Sequence, residues 1–304
     1  MAKPLRKRIK NNFIYVFVFY LILFVRLIPR RRAFQVFEKL GAFAFWVAAD
    51  VREKMIRHLT FAFGREKTDG EIRILARQSL IDLARNAVDA VRLPVYTLRD
   101  LEKFVSAEGL ENLEKALARK KGAILVTGHI GSWEVLAAFV AMRGFPLYVV
   151  GARLYDPRLD RLLLKMRASG RYRNIPRGGS TQKLLKILRR GNVLGILIDQ
   201  DTRVAGTFVP FFGKLAYTPV GAAILSIKTG AALVPVYIHL DEKYRHTIHI
   251  LPEFECELTG DTRADATRMT AELTQILESF IRQHPTQWVW MHERWKTRPE
   301  EVNF

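Results

Sequence analysis

The chain has 304 residues, an apolar fraction of 49% and a formal net charge of +19. This is apolar material enough for a sizeable core, which excludes a disordered chain, and the length suits two average domains or one large one. The single cysteine, Cys256, excludes an intrachain disulfide and a Cys-rich metal site, and favours a reducing compartment. So large an excess of Lys and Arg points to nucleic acid, an anionic membrane or an acidic partner.

The first 32 residues carry nine of the basic side chains (Lys3, Arg6, Lys7, Arg8, Lys10, Arg26, Arg30, Arg31, Arg32) and no acidic one. Between the two clusters, Phe13 to Val25 is unbroken apolar sequence rich in aromatic residues. A basic-flanked apolar helix describes a membrane element better than a nucleic-acid arm. It is shorter than the about 20 residues of a typical span. Arg26 and the run Arg30 to Arg32 stand where a cleaved signal peptide needs small residues. A short tilted span and an interfacial helix both fit, and a buried core helix is the plainer alternative. With the second apolar stretch "LGAFAFWVAAD" (40–50), residues 1–50 read as a membrane-anchor segment and residues 51–304 as an α/β domain with a helical N-terminal part.

From Glu53 to Val91 the pattern is helical and amphipathic, ended by Pro94; "GLENLEKALARKKG" is a further helix stopped by Gly122. Short β-rich apolar runs then follow at 123–127, 147–151, 193–198 and 232–240, separated by helical patterns. One of these helices takes Thr218 as N-cap, Pro219 in its first turn and Gly230 just past its end. "HTIHIL" (246–251) suits a hairpin partner for 232–240, and a helix around Asp265 to Gln283 precedes the tail "QWVWMHERWKTRPE". The expected fold is α/β, a mostly parallel central sheet flanked by helices, with an N-terminal hydrophobic anchor helix.

The stretch "LVTGHIGSWEVLAAF" (125–139) carries the chemistry. On one helix His129 and Glu134 would lie about 140° apart, so the chain must bend at the histidine. A strand through Thr127, a glycine turn and a helix capped by Ser132 place His129 at a strand's carboxyl end, where open α/β sheets hold ligands. From the first helical turn, Glu134 is expected to accept a hydrogen bond from one imidazole nitrogen and leave the other basic. Free N–H groups at the helix start favour a developing oxyanion. The same residues also suit a structural histidine in a glycine turn.

The string "TGHIGSWE" resembles the hallmark of the bacterial lipid A biosynthesis (lauroyl/myristoyl) acyltransferase family of the lysophospholipid acyltransferase superfamily, with Gly128 where relatives often carry Asn. "RLYDPRLDRLLLKMR", "DQDTRVAGTFVPFFGKLAYTPVG" and "HERWKTRP" extend the resemblance over roughly residues 10 to 300. It implies transfer of a fatty acyl chain from an acyl carrier protein thioester to a hydroxyl of a phosphorylated lipid A precursor. His129 would be the general base and Glu134 its orienting partner. Arg167 and Asp199 match functional positions of the family, with Arg153 and Gln200 as supporting contacts to substrate. Phe208, Phe211 and Phe212 suit either the wall of an acyl groove or the core. The implied setting is the cytoplasmic face of an inner membrane, held by anionic lipid. A phosphatidylinositol mannoside acyltransferase using acyl-CoA is the alternative enzyme, and a non-catalytic basic membrane- or nucleic-acid-binding protein the alternative class; nucleic acid is not the expected partner.

No Gly-x-Ser-x-Gly elbow, Walker loop or dinucleotide fingerprint is present, so no cofactor is expected. No metal is expected either, because "DQD" has no second oxygen cluster beside it. His246 and His249 face opposite sides of a strand; His58, His239 and His284 have no evident constellation, and His292 reads as structural.

Overall fold

The computed structural model describes residues 5–301, so Lys3 of the first basic cluster lies outside the described residues. The chain begins with helices α1 (Leu5–Leu27), α2 (Arg30–Val47), α3 (Ala49–Phe63), α4 (Asp69–Arg92) and the short α5 (Leu98–Leu101). Strand β1 (Val105–Glu108), helix α6 (Leu110–Ala118), β2 (Ala123–Thr127), α7 (Trp133–Met142), β3 (Leu147–Gly151), α8 (Pro157–Ser169) and β4 (Arg173–Pro176) follow. Then come α9 (Thr181–Arg189), β5 (Val193–Leu197), the hairpin of β6 (Gly206–Phe211) and β7 (Lys214–Pro219), and α10 (Gly221–Thr229). The chain closes with β8 (Ala232–Leu240), β9 (His246–Ile250) and α11 (Thr262–Gln283).

Seven strands form one sheet in the order β1-β9-β8-β2-β5-β3-β4. β8, β2, β5, β3 and β4 run parallel, whereas β9 pairs antiparallel with β8 and carries β1 parallel to itself. The fold class is therefore the expected α/β, with β8 and β9 as the expected hairpin. Successive strand residues point to opposite faces, so two cores form. Ala123, Leu125, Leu147 and Val149 pack against α7, and Ile124, Val126 and Leu194 pack against residues of α3, α4, α10 and α11. The capping box of Thr68 and Glu71 starts α4, and Asp261 caps α11 through the amides of Arg263 and Ala264.

Thr218 and Pro219 do not start a helix. They end β7, paired with Thr207 and Gly206, and the Thr218 hydroxyl accepts from buried Arg294, so α10 begins only at Gly221. Strands β1 and β4 lack the apolar runs that mark the others, and the hairpin lies inside a stretch read only as motif.

The apolar run from Phe13 to Val25 belongs to a longer helix. Ile9–Leu27 is long and apolar enough to cross a membrane, and only 6% of its window is buried. Helix α2 packs along α4 through Ala33, Phe34 and Phe37, yet exposes Phe43, Trp46 and Val47 by 62–74%. Arg30 fastens this layer to the sheet at β9: its guanidinium pairs with fully buried Asp89, which also bonds His246 of β9 at 2.9 Å and Tyr96.

Candidate active site

Thr127, Gly128 and His129 leave the carboxyl end of β2 toward a cleft of about 770 Å³ that crosses the sheet's carboxyl edge. Gly131 is held at φ +55°, and a Cβ there would lie 2.1 Å from the carbonyl oxygen of Ile238, so only glycine fits this turn. The tail fastens the turn from outside. The amide of Val289 donates to the His129 carbonyl, and the Gly131 amide donates to Gln287. Ser132 stands at the N-cap position, but its hydroxyl donates to the carbonyl of Asn86 in α4 rather than capping α7.

The expected bond between His129 and Glu134 is absent, and Asp199 takes its place. Nδ1 of His129 lies 2.8 Å from Asp199 Oδ1, and the His129 amide donates to Oδ2 at 2.7 Å. The indole N–H of Trp288 donates to the same Oδ2 at 2.8 Å. Burial alone would push the Asp199 carboxyl up. The charge and two hydrogen bonds of His129, with the Trp288 donor, hold it well below the usual carboxylate range. Facing a carboxylate, Nδ1 carries the proton of the neutral ring, leaving the Nε2 lone pair for the cleft side. Gln200 sets its amide nitrogen 3.3 Å from that Nε2 and 2.5 Å from Nε2 of His292. Burial, then the neighbouring His129, lowers His292 to about 4, so it stays a neutral acceptor.

Glu134 faces away from the histidine. Its carboxylate receives Arg167 through Nη2 at 2.6 Å and Nε at 3.2 Å, and also the hydroxyl of buried Tyr172. Burial opposes the charge on Arg167, but the Glu134 contact outweighs it and the guanidinium is held above its usual range. Arg167 also donates to Asn174, tying α7, α8 and β4 together beside the cleft.

A family model for "bacterial lipid A biosynthesis acyltransferase" matches residues 3–297. The chain belongs to that acyltransferase family. It is 27% identical over 276 residues to a phosphatidylinositol mannoside acyltransferase of Mycolicibacterium smegmatis, covering 89% of this chain and 88% of that one. The corresponding Mycobacterium tuberculosis protein is 27% identical over 71% of this chain and 69% of its own. A lipid A biosynthesis lauroyltransferase of Escherichia coli is 29% identical over 67% of this chain and 66% of its own.

Around this candidate site the remaining sequence expectations divide. Arg153 is exposed, between the cleft-lining residues Ala152 and Leu154. Phe208, Phe211 and Phe212 do not line the cleft. Phe211, on the buried side of β6, packs on Trp288 and Trp295, and Phe212 in the following turn packs on Phe63 and Trp290, whereas half-buried Phe208 points to the other side of β6 and meets Tyr217 across the hairpin. The apolar wall comes instead from residues such as Leu83, Ala87 and Ala90 of α4 and Leu136 and Ala137 of α7. The sequence reading missed Trp288, Tyr172 and Asn174, and it took His292 as merely structural. It also missed that His239 stacks on His284 and His249, with ring centroids 4.1 and 5.2 Å apart.

Proposed function

We propose that the protein transfers a fatty acyl group from a thioester, borne by acyl carrier protein, to a hydroxyl of a phosphorylated lipid A precursor. The observation that carries this reading is the His129–Asp199 pair at the mouth of a large apolar cleft, a suitable size for an acyl chain. In this reading Nε2 of His129 takes the proton of the acceptor hydroxyl as its oxygen attacks the thioester carbonyl, while Asp199 stabilises the imidazolium formed. The carbon–sulfur bond then breaks and the imidazolium returns the proton to the departing thiolate. Trp133 and Glu134 open α7 with amides that have no acceptor among the described residues, so they suit the tetrahedral oxyanion. Glu134, occupied by Arg167 and Tyr172, shapes the site, and exposed Arg153 meets acceptor phosphate.

Helix α1 serves as the anchor in an anionic membrane, with exposed Phe43 and Trp46 of α2 resting in the same interface. An inner membrane approached from the cytoplasm is the setting in which thioester donor and lipid acceptor meet. A phosphatidylinositol mannoside type of acceptor with acyl-CoA is the second reading, favoured by the mycolicibacterial relative that aligns over 89% of this chain.

The test is acyl transfer by detergent-purified protein offered a tetra-acylated lipid A precursor with lauroyl-, myristoyl- and palmitoyl-carrier protein. A product one acyl unit heavier, absent with His129→Ala, is the expected result. Transfer to mannosylated phosphatidylinositol alone would move the protein to the second reading, and full activity of the variant would sink the assigned base.

A further inference from the structure

A second, polar concavity of about 440 Å³ lies between the sheet edge and α9, lined by Arg173, Lys183, Lys186 and Arg190 with Tyr148 among its walls. It sits in an unusual stretch of chain. From Arg161 to Ile198 there are ten Lys and Arg residues and no acidic one. Lys183, Lys186 and Arg190 fall three and four residues apart, on one stripe of the helix. With Arg171, Arg173 and Arg189 they make an exposed cationic face, and none of the six has an ion-pair partner among the described residues. Like charges gathered this way repel one another, so the face is matched to an anionic partner.

The surroundings decide which kind. The N-terminal helices combine basic residues with exposed Phe13, Phe17, Phe43 and Trp46, as a membrane-embedded surface does. Between Lys165 and Lys214 no large hydrophobic side chain is exposed among the described residues. This face is polar throughout, which suits a water-soluble acidic partner better than a bilayer. It also spreads over the start of β4 and two turns of α9, broader than one phosphate group needs. Finally, it joins the active site. Gly178, Gly179, Thr181 and Leu184, on the loop before α9 and on the helix itself, line the acyl cleft, and a Cβ at Gly178 would meet nothing within 4 Å.

We propose that the outer face of α9 and the start of β4 form the docking surface for an acidic acyl carrier protein. The carrier's phosphopantetheine arm then crosses the loop at Gly178, where the chain leaves open space, to present its thioester at His129. This rests on the acyl-transfer reading and names where its donor binds. Charged groups around an interface chiefly raise the association rate and make it salt-dependent. Reversing them therefore acts on donor capture and not on the chemical step.

The test compares the full-length protein with a Lys183→Glu/Lys186→Glu/Arg190→Glu variant; all three side chains are exposed, so the fold is undisturbed. With lauroyl-carrier protein, KM should rise at least about tenfold with kcat nearly unchanged, and the salt dependence of the wild type should vanish. With a small phosphate-free lauroyl thioester the two proteins should be indistinguishable. Equal use of the carrier by both overturns the proposal, as does a matching loss with the small thioester. A loss seen only with acyl-CoA would make the face a nucleotide site, and a loss only of binding to anionic vesicles would make it a lipid contact; either also overturns it. Equilibrium binding of the carrier protein itself, measured in parallel, judges the surface even if no donor supports transfer, a result that would remove the acyl-transfer reading alone.

Discussion

Asp199→Asn and Glu134→Gln separate the two carboxylates that compete for the role of histidine partner. At Asp199 one oxygen accepts from Nδ1 of His129 and the other from two N–H groups, those of the His129 main chain and Trp288. An Asn amide turned with its NH2 toward the two donors would leave both facing a donor, at about 1–3 kcal/mol for each unsatisfied group. Turned the other way, it donates to Nδ1 and forces the opposite imidazole tautomer, with Nε2 protonated and useless as a base. The second orientation costs less, so the variant folds and fails in chemistry. The expected fall in kcat is about 10³–10⁴, as for the wrong tautomer in a triad, or about 4–5.5 kcal/mol of barrier. Glu134→Gln instead breaks a nearly buried pair, its side chains 11% and 13% exposed. That costs stability on the order of 3 kcal/mol, hence roughly 5 °C in Tm at about 2.1 cal/mol/K of unfolding entropy per residue over 304 residues. Single-turnover acyl transfer at low temperature, beside thermal melts followed by circular dichroism, reads both. The reasoning fails if Asp199→Asn stays within about tenfold of wild type, or if a fully folded Glu134→Gln loses as much as Asp199→Asn.

Asp89→Ala strands Arg30 and His246 without their carboxylate and should cost about 3–5 kcal/mol, seen as a shifted urea midpoint. Burial pushes the Asp89 carboxyl up, but His246 and Arg30 hold it below the ordinary range. A depressed carboxyl stabilises the fold above its unfolded pKa, so wild-type stability should hold from pH 7 to 5 and fall below about pH 4. The Asp89→Ala variant should show a shallower acid decline in the same titration. Ala90 lines the cleft, so Ala90→Phe should shorten the preferred acyl chain, read as product mass from competing donors. Removing residues 1–20 spares the packed Leu21 and Val25 but deletes most of the exposed apolar helix. The truncated chain should stay folded and lose sedimentation with anionic vesicles; unchanged sedimentation would remove α1 from the role of anchor.

What could be read along the chain was local. The strands at 123–127, 147–151 and 232–240 were legible to the residue, because β-branched apolar runs between glycine and proline have few other solutions. The bend at His129 was legible too, since Gly128 and Gly131 bracket it. A Cβ at Gly128 would lie 3.0 Å from the Asp199 carboxylate, so the turn packs closely on that side chain. The histidine's partner was not legible, and the reason is register. Glu134 is five positions from His129, but the first turn of α7 swings it toward α8 and β4. β2 and β5 pair in parallel with Thr127 beside Leu197. Two further steps along both strands bring His129 opposite Asp199, across 70 residues of intervening chain. The aromatic cluster stayed open between groove and core for a related reason, since only the pairing of β6 with β7 decides that Phe211 faces the core. Spacing along the sequence thus located the histidine, while strand pairing chose the carboxylate that holds it.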